Sequence, residues 1–146
     1  MVHVGVPECI RGRLWIKLLE IEQAKAVHSE GLYEKLCDFD NEEAESQIEK
    51  DIGRTLADLT LWEDEGNSSN KLFNILMAYA NYDNEVGYVQ GMNYIVALFL
   101  FYLPEQEETV FWSLHQLMQQ RNWRLVYTHN FPKLKSITKL LESRIQ

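Results

Sequence analysis

Apolar residues recur at three- and four-residue steps along most of the chain, and strand-type alternation is missing. Ile10, Leu14, Trp15, Leu18 and Leu19 form one such stripe behind Pro7. That predicts a first helix opened by the proline and buried along the stripe. A short helix is expected over about Ser29 to Cys37. Asn41 stands ready to cap the next helix, with acids in its first turn where the helix dipole favours them. Trp62 to Ser69 reads as a solvated loop, and Ser68 or Ser69 as the cap of a helix striped by Leu72, Phe73, Leu76, Tyr79 and Ala80. Tyr82 to Gly87 reads as a turn. Tyr88 to Leu103 is apolar nearly all round, which predicts a central helix buried on most sides and ended by Pro104. Glu105, Glu107 and Glu108 open a helix carrying Val110, Phe111, Trp112, Leu114, Leu117 and Met118. Pro132 opens a last amphipathic helix with Leu134, Ile137, Leu140, Leu141 and Ile145. The expected fold is all-α, one domain over residues 1–146 with helices packed irregularly.

Composition narrows the function. The 146 residues are 46% hydrophobic and 25% charged, enough for a real core. The formal charge of −8 argues against nucleic acid as a partner and gives no general attraction to anionic membranes. Cys9 and Cys37 make neither a disulfide framework nor a zinc site, and Met1 to Gly5 lacks the pattern of a signal peptide. The longest apolar run, Met92 to Leu103, is shorter than the roughly 20 residues of a bilayer span. No transmembrane segment and a cytoplasmic location are expected. Charge is uneven: no Lys or Arg occurs from Leu72 to Gln120, and six occur from Arg121 to Gln146, read as a solvated cationic face.

Self-contained catalysis finds little support. No glycine loop for phosphates and no Gly-x-Ser-x-Gly elbow occurs. His3, His28, His115 and His129 lack metal-ligand spacing, so no metal site is expected. Two polar islands stand out instead. In Ile48 to Thr55, helical spacing puts Ile48, Asp51 and Arg54 near one face, with Arg54 the only cation between Lys50 and Lys71. Arg54 is either a surface residue paired with Asp51 or a presented group. In Gly87 to Asn93, Gln90 stands between glycines at the mouth of the most apolar helix. It is either part of a cap or turn, or a presented group.

Taken together, the islands resemble the TBC domain, the family of Rab GTPase-activating proteins. Arg11-Gly12-Arg13-Leu14-Trp15 is similar to the family's opening Arg-Gly-x-x-Trp helix. Ile48-x-x-Asp51-x-x-Arg54 is similar to its Ile-x-x-Asp-x-x-Arg motif, and Tyr88-Val89-Gln90-Gly91 to its Tyr-x-Gln-Gly motif. Leu56-Ala57 departs from the aromatic residue and proline that family members often carry there. The resemblance implies a GTP-bound Rab as partner, reached in the cytoplasm or at endomembranes through that partner. GTP and Mg would belong to the Rab, and the chain would have no cofactor of its own. It implies Arg54 as arginine finger, Gln90 as glutamine finger, and Asp51 as a buttress for Arg54. Tyr88 and Gly91 would shape the loop, and Arg11 and Trp15 would pack the first helix. A Rab-binding or scaffold module without catalytic effect is the alternative. The family domain is longer, so this chain is expected to be its N-terminal part, with an apolar face left uncovered around Tyr94 to Leu103.

Overall fold

The computed structural model describes residues 5–58, 65–120 and 122–145. Every regular element among them is helical: α1 (Glu8–Leu18), α2 (Ile21–Ala26), α3 (Leu32–Cys37), α4 (Glu42–Asp58), α5 (Glu65–Tyr82), α6 (Met92–Tyr102), α7 (Glu107–Gln120), α8 (Arg124–Tyr127) and α9 (Pro132–Ile145). The all-α expectation is met. Pro7 stands just outside α1 with extended backbone, one residue earlier than expected. Glu20, at φ 53°, turns the chain between α1 and α2, a break that the apolar spacing does not reveal.

The buried stripe of α1 differs from the predicted one. Ile10 and Leu18 are exposed, and Leu19 is buried. The close approach to α6 is made at Gly12, where an added Cβ would lie 2.7 Å from the Tyr102 carbonyl oxygen and 2.8 Å from Leu103 Cδ2. Trp15 packs edge-on against Phe99 and Tyr102, with ring centroids 5.4 and 5.0 Å away. Arg11 donates to Tyr102 Oη at 2.6 Å and to the Val6 carbonyl at 2.9 Å, tying the first turns of α1 to the end of α6.

Asn41 caps α4 by accepting a hydrogen bond from the Ala44 amide at 3.2 Å. Ala44, Ile48, Ile52 and Thr55 bury one face of that helix. The helix continues through Leu56-Ala57 to Asp58. Neither residue restricts the backbone as a proline would. The predicted loop is cut short on the described side: α5 begins at Glu65, so Ser68 and Ser69 lie inside the helix rather than capping it. Trp62 to Asp64 lie outside the described residues.

The central helix is α5, not α6. Every residue from Ile75 to Ala80 is buried, because α3, α4, α6 and α7 surround it. In α6, Met92, Val96, Ala97, Phe99 and Leu100 are buried, while Tyr94, Leu98 and Phe101 face outward. A helix apolar all round can be buried all round only where neighbours reach every side. The apolar residues of α9 that were predicted to form a face, Leu134, Ile137, Leu140 and Leu141, are also exposed. That helix packs chiefly on α8.

A polar cluster ties α2 and α3 to α7. Lys25 pairs with Glu108 at 3.0 Å, and Tyr33 donates to Glu107 at 2.6 Å. His28 and His115, distant in sequence, both reach the Tyr82 hydroxyl, at 3.3 and 2.9 Å. Burial, aided by the nearby His28, pushes the His115 imidazole down to about 4. No group of three or more His, Cys, Asp or Glu side chains suited to a metal ion occurs among the described residues.

Candidate functional site

The two polar islands meet at the junction of α4 with the loop that opens α6. Asp51 and Thr55 are one helical turn apart on the buried face of α4, and Arg54 projects outward between them. The Arg54 side chain is 69% exposed, and its Nη1 stands 3.7 Å from Asp51 Oδ1. That is an ion pair too long for a hydrogen bond, so the planar fork of donors is not consumed by Asp51.

Asp51 is held from the other island. Tyr88 Oη donates to Asp51 Oδ2 at 2.8 Å in a buried contact. Burial, with this hydrogen bond to a carboxylate, pushes the Tyr88 phenol well above its ordinary range and keeps it a donor. A second bridge runs in parallel. Asn93 Nδ2 donates to Thr55 Oγ1 at 2.6 Å, and Thr55 Oγ1 donates to the Asp51 carbonyl at 2.7 Å. Asn93 Oδ1 accepts from the Gly91 amide at 2.8 Å, satisfying a donor at the mouth of α6.

Gln90 lies between these anchors and is exposed. Tyr88 precedes it by two residues and Asn93 follows by three, so both bridges to α4 flank it in sequence. Gly91 has φ 102°, a conformation that L side chains rarely adopt, which is the local reason for glycine there. Gly87, at φ 62°, allows the turn at the other end. Loop and helix are therefore joined by buried hydrogen bonds, while the guanidinium and the carboxamide are left to solvent.

Of the residues singled out from sequence, Asp51, Arg54, Tyr88, Gln90 and Gly91 are brought to this junction, and Ile48 is buried one turn before Asp51. Arg11 and Trp15 lie elsewhere, at the contact of α1 with the end of α6. Thr55 and Asn93 were not singled out. Asn93 did leave a signal, because it is a lone amide inside an apolar run. An amide there must find a partner or carry the cost of burial unpaired.

This fold, with the two islands joined, defines a helical domain of one family. The sequence model of the Rab-GTPase-TBC domain matches residues 8–146, and the chain belongs to that family. It is 37% identical over 123 residues to a TBC domain-containing protein of Schizosaccharomyces pombe, covering 82% of this chain and 15% of that protein. It is 31% identical over 149 residues to the Ecotropic viral integration site 5 ortholog of Drosophila melanogaster, covering 100% of this chain and 17% of that one. The crystal structure of the Chlamydomonas flagellar RabGAP TBC domain superposes with a TM-score of 0.76 at 26% identity. That match covers 96% of this chain and 47% of the other. The chain thus spans less than a fifth of the two relatives and about half of the solved chain.

Proposed function

We propose that this chain accelerates GTP hydrolysis by a Rab-family GTPase, supplying Arg54 and Gln90 in trans to the partner's nucleotide site. The observation that carries the reading is the buried double bridge, Asp51–Tyr88 and Thr55–Asn93, which braces two exposed polar side chains from separate elements. Phosphoryl transfer passes through a loose transition state with charge on its oxygens, so it is helped by positioned cations and a positioned water. A guanidinium bridges two phosphate oxygens with its planar fork. A carboxamide has an acceptor and two donors, so it can orient the attacking water and still touch the phosphate. GTP and Mg belong to the partner in this scheme, and this chain contributes side chains alone. Asp51 acts as a buttress rather than a base, since Tyr88 already occupies one carboxylate oxygen.

Single-turnover hydrolysis by GTP-loaded Rab proteins tests the reading. An arginine finger is worth ~10³ to 10⁵ in rate. Arg54→Ala should therefore remove essentially all stimulation while leaving the helical content unchanged. Arg54→Lys should also fail, because a point charge lacks the fork. Gln90→Ala should weaken stimulation strongly. Full stimulation by Arg54→Ala would end the mechanism. Binding without stimulation by the unaltered chain would favour a Rab-binding module instead.

A further inference from the structure

We propose that α8 is a positioning element for Gln90, with Arg124 and Tyr127 holding opposite ends of the loop that presents it. This rests on the reading of Gln90 given above. Arg124 donates from Nε to Asp83 Oδ2 at 2.7 Å and from Nη2 to Asp83 Oδ1 at 2.9 Å, and Nη2 also reaches Glu85. Asp83 is buried, and the loop's entry is organised around it. Its carboxylate accepts from the Val86 amide at 3.3 Å and from the Tyr79 hydroxyl at 3.3 Å. Its carbonyl accepts from the Gly87 amide at 2.7 Å. The backbone leading into Tyr88 is thus anchored on Asp83, whose carbonyl also takes the Val86 amide at 3.1 Å, and the Arg124 fork fixes the orientation of the carboxylate that shares that amide.

At the far end, the Tyr127 ring backs Gly91, where an added Cβ would stand 3.9 Å from a ring carbon. Val89 and Tyr127 line one shared depression beneath the loop. Arg124 and Tyr127 are three residues apart on one helical turn, so a single short element touches both stems. The cationic tail is therefore not uniformly a solvated face. Arg124 is only 27% exposed and is engaged by two carboxylates, which makes it a brace rather than a further finger. Without Arg124, the buried Asp83 would have no cationic partner among the described residues, and the loop entry would loosen. Misplacing a reacting group by about 1 Å can cost ~10²-fold in rate.

The test uses the full chain with Arg124→Gln, Arg124→Lys and Tyr127→Leu. In single-turnover hydrolysis, Arg124→Gln should lower the maximal stimulated rate by about 10- to 100-fold, with little change in half-saturating concentration. Arg124→Lys should recover only part, lacking the fork. The loss should vanish in a Gln90→Ala background, because there is then no carboxamide left to misplace. Amide hydrogen exchange over residues 86–92 should quicken about tenfold while α7 is unchanged. An equal loss with and without Gln90, or unchanged exchange in the loop, would overturn the proposal. If Arg124→Gln loses helical content, Tyr127→Leu carries both measurements, since it leaves the side chains of the Arg124–Asp83–Glu85 pairing unaltered. If the unaltered chain stimulates no Rab, the reading of Gln90 fails, and the exchange measurement alone decides whether α8 holds the loop.

Discussion

Removing one hydroxyl isolates the brace between α4 and the loop that carries Gln90. Tyr88→Phe keeps the ring in the core and deletes the hydrogen bond to Asp51 Oδ2 at 2.8 Å. A hydrogen bond to a charged group contributes about 1.5–3 kcal/mol. Asp51 is only 8% exposed, so water would replace the lost donor poorly. Arg54, at 3.7 Å and largely exposed, offers weak compensation. A loss of about 2 kcal/mol is expected on these grounds. At about 2 cal/mol/K per residue, unfolding entropy for the chain is near 0.3 kcal/mol/K, so Tm should fall by roughly 6 °C. Circular dichroism melting and urea titration read this directly. A cycle with Asp51→Ala gives the coupling, which should be at least about 1 kcal/mol. A cost in the unaltered background below about 0.5 kcal/mol, or the same cost with and without Asp51, would refute the argument.

Three other outcomes follow from the packing and the titrating groups. Gly12→Ala should destabilise by about 1–3 kcal/mol, because the new methyl meets the Tyr102 carbonyl oxygen at 2.7 Å and α1 must shift; chemical denaturation measures it. His115 is held neutral in the fold and takes up a proton near its ordinary value once unfolded, so stability should fall as pH drops from about 6.5 towards 4. The loss between pH 7 and pH 5 should be about 2 kcal/mol, and His115→Asn should flatten it in urea titrations at the two pH values. Tyr88 shifts the other way: the unfolded phenol ionises near 10 while the folded one resists, so stability should decline as pH rises above about 10, less steeply in Tyr88→Phe.

Much of the architecture was legible in local pattern. Three-to-four-residue spacing marks the helices, Asn41 marks the start of α4, and Pro104 and Pro132 mark the ends of neighbouring segments. These are properties of a few adjacent residues, settled by backbone geometry and by which side of a helix is apolar. The candidate site was legible for a related reason. Its two motifs are short, and each carries a residue that is odd in its setting: a lone cation in Arg54, and an amide between glycines in Gln90.

The pattern could not say which apolar helix would be enclosed. The most apolar segment, α6, leaves Tyr94, Leu98 and Phe101 exposed, while the less apolar α5 is surrounded. Burial depends on how many neighbours arrive, and neighbours come from distant parts of the chain. The same holds for Gly12, where glycine matters because another helix's backbone passes within contact distance, not because of α1 itself.

Sequence alone marked most of the helices, the Asn41 cap of α4, and the two polar islands that the candidate site is built from. Tertiary structure decided that Thr55 meets Asn93, that Tyr88 meets Asp51, and that Arg124 meets Asp83. Hydrogen bonds between residues some 40 positions apart leave no periodic trace. They exist because burial makes an unpaired polar group costly, and only the packed fold shows which groups are buried together.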